Sequence, residues 1–192
     1  MLQQTAYVFV FDGFADWEPA SALAELRRTF GFETKTIGLS RDTVVSMGGL
    51  RVVPDLPLVD FEPETAAILI LPGGDSWMAV QHAEITRAVR AMEGEHRPVA
   101  GICAATLALA HAGLLDDRMH TSNGAGFIEK FVPDYAGASL YRAAPAITDR
   151  SIITASGLAP VAFAAEIFRA LVPERADDIA TYQSLYVRGF MD

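Results

Sequence analysis

The chain has 192 residues, a formal net charge of −9 and one cysteine. Its length suits one domain, so residues 1–192 are expected to form a single unit. The acidic balance argues against binding to nucleic acid or to an anionic membrane, since both need a basic face, and favours small molecules or proteins as partners. A single cysteine, no leader-like start and no apolar run that could span a bilayer predict a cytoplasmic protein.

The first half of the chain alternates apolar strands with helices. Continuous apolar runs predict strands buried on both faces, as in a parallel sheet, and Gly or Pro residues end them. The predicted elements are a strand at 6–11, a helix at 19–30, strands at 32–37 and 66–71, and a helix at 76–92. Met47-Gly48-Gly49-Leu50 predicts a hairpin turn whose strands lie at a sheet edge.

An abrupt change of composition within 98–110 marks the most informative stretch. An apolar β-branched run breaks at Gly101-Ile102-Cys103 into a run of Ala and Leu, which predicts a buried strand that turns sharply into a helix. Such a turn is a nucleophile elbow, and the small residues Gly101 and Ala105 leave room for the backbone to double back. The helix dipole favours a thiolate there, so we predict that Cys103 is ionised near neutral pH and reactive. The alternative is a buried, inert thiol.

The second half of the chain is predicted to complete the sheet. Strands are expected at 119–122, 138–142, 146–148 and 152–154, a short helix at 124–131, and longer helices at 161–171 and 176–187. Strands that alternate with helices form a doubly wound α/β sheet, and its sites lie outside the carboxyl ends of the strands. Asp16-Trp17-Glu18, Pro72-Gly73-Gly74-Asp75 and Cys103 each follow a strand, so they are expected to converge.

Glu18 and Gly74 are the candidate partners of the cysteine. A protonated Glu18 can donate a hydrogen bond to the sulfur, whereas an ionised Glu18 opposes the thiolate by charge repulsion, and burial favours the protonated form. The alternative is a solvated carboxylate in the first turn of the helix. The N–H groups of Gly74 and Ala104 can both point at one developing oxyanion, although Pro-Gly-Gly is also a common turn.

The remaining candidates concern the pocket. Trp77 and Phe14 are expected either to line it or to belong to the core. His120 is the histidine best placed in the chain to assist Cys103, and a structural role is its alternative. The sequence has no metal-ligand spacing, phosphate-binding glycine loop or dinucleotide fingerprint, so neither a metal nor a cofactor is expected.

Together these motifs resemble the ThiJ/PfpI family of the class I glutamine-amidotransferase-like superfamily. The resemblance covers nearly the whole chain and rests on four segments: Gly13-Phe14-Ala15-Asp16-Trp17-Glu18, Leu71-Pro72-Gly73-Gly74, Gly101-Ile102-Cys103-Ala104-Ala105 and Ile153-Thr154-Ala155-Ser156-Gly157. It implies an α/β fold, a flavodoxin-like three-layer sandwich with a mostly parallel sheet, and a homodimer.

The resemblance also implies functional roles. Cys103 would be the reactive nucleophile and Glu18 its protonated partner. The oxyanion donors would be Gly74 and Ala104. Many proteolytic-type members carry a histidine directly after the cysteine, where this chain has Ala104. Members of the glyoxalase-like type carry one after the next strand, where this chain has Asn123, which can orient a substrate but cannot shuttle a proton.

Two classes of function follow. The first is a cofactor-independent cysteine hydrolase or lyase that acts on a small carbonyl or amide compound. The second is a non-enzymatic oxidative-stress sensor or protective protein that acts through oxidation of Cys103. The oxyanion loop favours the first function, and the missing histidine favours the second.

Overall fold

A seven-stranded sheet forms the centre of the computed structural model, which describes residues 4–79 and 83–190. Within these residues its spatial order is β5-β2-β1-β6-β7-β9-β8, and every neighbouring pair is parallel except β8 with β9. The strands are β1 (Thr5–Phe9), β2 (Glu33–Gly38), β5 (Leu56–Pro57), β6 (Ala66–Leu71), β7 (Val99–Ile102), β8 (Ala146–Asp149) and β9 (Ile152–Ala155). A separate antiparallel pair consists of β3 (Val44–Val45) and β4 (Arg51–Val52).

Helices cover both faces of the sheet. They are α1 (Trp17–Arg28), α2 (Ser76–Ala79), α3 (Ala83–Gly94), α4 (Thr106–His111), α5 (Phe127–Phe131), α6 (Pro160–Leu171) and α7 (Ala176–Arg188). Helix α6 packs against α1 and α7, and α3 packs against α4. Within residues 4–79 and 83–190 no helix combines the length and the apolar character that crossing a bilayer requires.

The three central strands explain the layered fold. Every residue of β1, β6 and β7 is buried, so each strand needs apolar partners on both of its faces. Continuous apolar strands of this kind belong to parallel sheets with helices on both sides. The protein therefore has the predicted α/β fold, a three-layer sandwich with a mostly parallel sheet.

Several predicted elements differ from the observed ones. The predicted strands at 119–122 and 138–142 reduce to a single bridge between His120 and Tyr141. The predicted helix at 76–92 is described as α2 and α3, and residues 80–82 lie outside the described part. The strand β5 was not predicted because Pro54 and Pro57 indicate a strand end, yet Pro57 pairs with Gly38 at the sheet edge, where a missing N–H is tolerated.

The predicted hairpin forms, but it does not lie at an edge of the main sheet. It is the separate pair β3–β4, and it covers the loop that follows β1. The Gly13 N–H donates to the Val45 carbonyl over 2.7 Å, and the Met47 N–H donates to the Phe14 carbonyl over 2.9 Å. Ser46 adds a hydroxyl bond of 2.7 Å to the Asp16 carboxylate. The hairpin thus lies beside the carboxyl ends of the strands, close to Glu18.

Candidate active site

The predicted elbow is present at the end of β7. Cys103 has a φ of 60°, in the left-handed region that a residue with a side chain rarely adopts. A Cβ atom on Gly101 would lie 2.9 Å from Leu109, so glycine is needed where the helix returns over the strand. The Thr106 hydroxyl bonds the Cys103 carbonyl over 2.8 Å and thereby closes the turn. Its second hydrogen bond, of 2.7 Å, joins the Ser122 hydroxyl.

The three predicted strand ends converge on the thiol. Glu18, the second residue of α1, has a side chain that is only 1 % exposed, so it is not the solvated residue of the alternative interpretation. The Gly73 N–H donates to Glu18 Oε2 over 2.6 Å, and the carboxyl group lies beside the Cys103 thiol, since both border the space next to Gly157. The loop after β1, the loop after β6 and the elbow after β7 therefore form one cluster.

Two glycines allow the main chain to approach this cluster. A Cβ atom on Gly73 would lie 2.7 Å from both Cys103 Cβ and Glu18 Oε2. A Cβ atom on Gly157 would lie 2.8 Å from Cys103 Sγ and 3.2 Å from Glu18 Oε1. Any side chain at these positions would overlap the thiol and the carboxyl group. In the sequence Gly157 stands out only as the last residue of the segment Ile153-Thr154-Ala155-Ser156-Gly157, and no single-residue signal shows that it borders the sulfur.

The two predicted oxyanion donors have different surroundings. The Ala104 N–H is a backbone donor beside the sulfur, and it lowers the pKa of the Cys103 thiol. Gly74 forms a bridge with Phe14, and a Cβ atom there would lie 2.7 Å from the Phe11 ring and 2.9 Å from the Gly13 carbonyl. Glycine at 74 is thus required by packing, and its role as an oxyanion donor remains a prediction.

Asn123 directly contacts the thiol. Its Nδ2 group donates to Cys103 Sγ over 3.2 Å, and its Oδ1 atom accepts the Gly157 N–H over 3.0 Å. The two preceding residues anchor the loop, because the Thr121 N–H bonds the Thr154 hydroxyl and Ser122 bonds Thr106. A side-chain amide therefore lies next to the sulfur. It donates a hydrogen bond to the sulfur but cannot accept the thiol proton as a histidine would.

Burial has the largest effect on the pKa values of Glu18 and Cys103. It raises the pKa of Glu18 above its usual value, against the opposing hydrogen bonds from Gly73 and the thiol. Burial also raises the pKa of the Cys103 thiol, and the negative charge of Glu18 acts in the same direction, while the Asn123 and Ala104 donors lower it. This direction is opposite to the expected thiolate near neutral pH, because burial of the sulfur outweighs the donors that would stabilise its charge.

His120 does not belong to the thiol cluster. Its side chain is fully buried, Nδ1 pairs with the Arg118 carbonyl over 2.8 Å, and Nε2 pairs with the Tyr135 hydroxyl. Burial lowers the pKa of the imidazole and raises the pKa of Tyr135 to about 12. Both ring nitrogens have partners inside the protein and away from the sulfur, which agrees with the structural alternative for His120.

Trp77 and Phe14 belong to the core rather than to the wall of an open pocket. The Trp77 side chain is buried, donates to the Pro72 carbonyl over 2.9 Å and packs against Phe9 and Phe11. Phe14 is also buried and contacts Phe11 edge-on. Both aromatic residues contact the loop after β6, Trp77 through the Pro72 carbonyl and Phe14 through its bridge with Gly74. Within the described ranges, no group of three or more His, Cys, Asp or Glu side chains could hold a metal ion.

The fold and the elbow define an α/β protein with a cysteine at the carboxyl end of its central strands. The model of the DJ-1/PfpI family matches residues 4–170. The chain therefore belongs to the DJ-1/PfpI family, as the resemblance to ThiJ/PfpI proteins had indicated.

Individual relatives agree with this assignment. YoaZ of Bacillus subtilis, named an uncharacterized protease, is 33% identical over 96% of this chain and 91% of its own. TK1284 of Thermococcus kodakarensis, named a deglycase, is 31% identical over 58% of this chain and 67% of its own. The crystal structure of the DJ-1 superfamily protein Atu0886 from Agrobacterium tumefaciens has a TM-score of 0.86 at 36% identity, covering 96% of this chain and 100% of that chain. The crystal structure of a thiJ/pfpI family protein from Bacillus anthracis has a TM-score of 0.89 at 34% identity, covering 97% of this chain and 92% of that chain.

Proposed function

We propose that the protein is a cofactor-independent cysteine hydrolase or lyase that acts on a small carbonyl or amide compound. The observation that carries this proposal is the position of the buried Glu18 carboxyl group beside the Cys103 thiol, since a single Cβ atom on Gly157 would lie 2.8 Å from Sγ and 3.2 Å from Glu18 Oε1. The two groups can exchange one proton directly, since burial raises the pKa of each and disfavours charge on both. A nucleophile next to its proton acceptor is the arrangement that covalent catalysis requires.

The proposed reaction begins with addition of the thiol to a carbonyl group. Cys103 Sγ bonds the carbonyl carbon, the π electrons move to the oxygen, and the thiol proton passes to the Glu18 carboxylate. The N–H groups of Gly74 and Ala104 hold the developing oxyanion. Glu18 then returns the proton to that oxygen or to a leaving amine. In a hydrolysis, water releases the acyl group from the sulfur in a second step.

The names of the relatives support carbonyl chemistry. YoaZ is named a protease and TK1284 a deglycase, and attack of a thiol on a carbonyl carbon serves either description. The proposal for this chain is restricted to small compounds because its acidic charge and single thiol carry no signal for a particular macromolecule. A free reactive thiol persists in a reducing compartment, so the proposal includes a cytoplasmic location.

A second function is supported by the donors around the sulfur. We propose, as the alternative, that Cys103 is oxidised and that the protein acts as an oxidative-stress sensor or protective protein. A protonated Glu18, the Asn123 amide and the Ala104 N–H surround the sulfur, and each can hold an oxygen of a sulfinate. In the part of the chain that the structure describes, His120 is bonded to the Arg118 carbonyl and the Tyr135 hydroxyl and not to the sulfur, which favours this alternative.

One experiment separates the two functions. Wild type and Cys103→Ala are assayed for turnover of 2-oxoaldehydes, amides and isonitriles, and the mass of each protein is measured after peroxide treatment. The enzymatic proposal predicts turnover of at least one carbonyl or amide compound by wild type and none by Cys103→Ala. No turnover by wild type, together with addition of two oxygen atoms to Cys103, would support the sensor instead. Equal turnover by both proteins would exclude Cys103 as the nucleophile.

A further inference from the structure

A cavity of about 600 Å³ lies at the end of the sheet opposite to the thiol cluster. Pro98, directly before β7, and Ser151, directly before β9, both line it, whereas Cys103 directly follows β7. Because a β-strand rises about 3.3 Å per residue, Pro98 and the cavity lie roughly 16 Å from the cysteine. The volume is in the range of small-molecule sites, and the reaction proposed for Cys103 does not involve this cavity.

Arginine side chains give the lining its charge. Arg118, Arg150 and Arg169 border the cavity, and in the part of the chain that the structure describes the lining has two carboxylates, those of Glu93 and Glu166. Glu93 accepts a bond of 2.6 Å from Arg118, and Glu166 accepts one of 2.6 Å from Arg169, so each carboxylate holds a guanidinium group in place. The lining is therefore positively charged in a chain whose net charge is −9.

Arg118 has a donor for which the described residues supply no acceptor. Its side chain is only 7 % exposed, Nη1 donates to the Leu114 carbonyl over 3.0 Å, and Nη2 donates to Glu93. The Nε–H group is buried and has no hydrogen-bond partner among these residues. A buried donor without an acceptor is rare and costs free energy. Because Arg118 borders the cavity, a small rotation of its guanidinium group would let a ligand oxygen become that acceptor.

Two other basic residues of the lining have a backbone conformation that glycine usually adopts. His96 and Arg150 each have a φ of 54°, and within residues 4–79 and 83–190 Cys103 is the other non-glycine residue with a positive φ. Glycine is the usual residue at such turns and helix ends, so a basic side chain there strains the backbone, and strain of this kind concentrates at functional sites. Asp117 and Asp149 pair with Arg150 from outside the lining, and its side chain stays half-exposed.

We propose that this cavity binds a small molecule through a phosphate group. Its nitrogen donors come from four directions, the segment after α3, the loop after α4, the turn between β8 and β9, and α6, which carry His96, Arg118, Arg150 and Arg169. A phosphate group has tetrahedral oxygens and a charge near −2, so it accepts hydrogen bonds from several directions, whereas a carboxylate has two oxygens in one plane. Arginine matches phosphate with pairs of N–H donors. The cavity is larger than a phosphate ion, so it also has room for an organic part.

Calorimetric titration with inorganic phosphate and with glycerol 3-phosphate, at an ionic strength fixed with sodium chloride, tests the site. Wild type should bind both compounds saturably. Arg150→Gly should bind glycerol 3-phosphate about five- to tenfold more weakly, because a charged donor is lost. This variant should fold, since glycine adopts a φ of 54° without strain and exposed ion pairs contribute little to stability. Arg41→Gln is the matched control: it removes the charge of an exposed arginine outside the lining and should bind like wild type.

Two further variants locate the site. Arg118→Lys keeps the charge but loses the planar set of donors, so its affinity for glycerol 3-phosphate should fall about fivefold. Circular dichroism checks its fold, and Arg169→Gln replaces it if it does not fold. Cys103→Ala should keep the wild-type affinity.

Four outcomes would overturn the proposal. They are the absence of saturable binding of either phosphate compound to wild type, an unchanged affinity in Arg150→Gly, a weaker affinity in Cys103→Ala, and tighter binding of citrate than of glycerol 3-phosphate. The third would place the phosphate at the thiol cluster, and the fourth would assign the cavity to carboxylates. Binding is measured without turnover of a substrate, so these outcomes are distinguishable from failure of the proposed function.

Discussion

Two polar residues of the loop after α4 have opposite roles. His120 uses both ring nitrogens inside the protein, on the Arg118 carbonyl and the Tyr135 hydroxyl. Asn123 uses both ends of its amide at the thiol cluster, on the sulfur and on Gly157. His120 therefore contributes to the stability of the fold, whereas Asn123 supplies a hydrogen bond to the cysteine sulfur.

Removing the partner of His120 tests this division. In Tyr135→Phe the buried Nε2 atom of His120 loses its hydrogen bond, so the free energy of unfolding should fall by about 1–3 kcal/mol. The rate of Cys103 alkylation by iodoacetamide should not change. Urea unfolding and the alkylation rate are measured on the same protein. An altered alkylation rate in a folded variant of unchanged stability would show that His120 acts on the thiol.

Three connecting segments form the candidate site. The loop after β1 leads to Glu18, the loop after β6 supplies Gly73, and the loop after β9 supplies Gly157, all against the elbow after β7. Because the central strands are parallel, their carboxyl ends open at the same edge of the sheet. The backbone can approach the thiol at Gly73 and Gly157 only because these residues have no Cβ atom.

Adding one methyl group tests this close approach. Gly73→Ala places a Cβ atom 2.7 Å from both Cys103 Cβ and Glu18 Oε2, so overpacking should lower the free energy of unfolding by about 1–3 kcal/mol. Gly94→Ala is the control, since a Cβ atom there has no heavy atom within 4 Å, and it should be neutral or stabilising by about 0.5 kcal/mol. Equal stability of the two variants would mean that the loop after β6 is not closely packed against Cys103 and Glu18.

Several exposed apolar side chains lie beside the site. Trp17 at the start of α1 and Met47, Leu50 and Val53 on the hairpin are all exposed. The hairpin is bonded to the loop before α1, so these residues belong to one region of the surface. Exposed apolar side chains grouped in one region mark interaction surfaces. We propose that a second copy of the chain covers this patch, which is the homodimer that the family resemblance implies.

A charge on the patch tests the dimer. Leu50→Asp introduces a carboxylate that an apolar interface would have to desolvate, so sedimentation at micromolar concentration should show a dimer for wild type and a monomer for this variant. Val59→Asp is the matched control, because Val59 is 87 % exposed and lies outside the hairpin. It should sediment like wild type. A wild-type protein that sediments as a monomer would exclude the proposed dimer.

Local patterns predicted the central strands and the elbow, because these features depend on neighbours in the chain. The strand at 66–71 and the turn at Cys103 are visible as runs of residue types. Local patterns do not predict the contacts of the site, because these contacts join residues that are far apart in the sequence. Glu18 and Gly73 are separated by 55 positions, and Asn123 and Gly157 by 34. The direction of the thiol pKa was missed for the same reason, because it depends on burial by these distant segments.

The central claim is that the Glu18 carboxyl group acts directly on the Cys103 thiol. The most direct measurement is the pH dependence of iodoacetamide alkylation in wild type, Glu18→Gln and Glu25→Gln. Wild type should react with an apparent pKa above the usual thiol value, since burial and the Glu18 charge both raise the pKa of Cys103. Glu18→Gln removes the charge, so the pKa of its Cys103 thiol should fall, whereas Glu25→Gln, also on α1, should match wild type. A thiol pKa in Glu18→Gln that equals or exceeds the wild-type value would contradict the account.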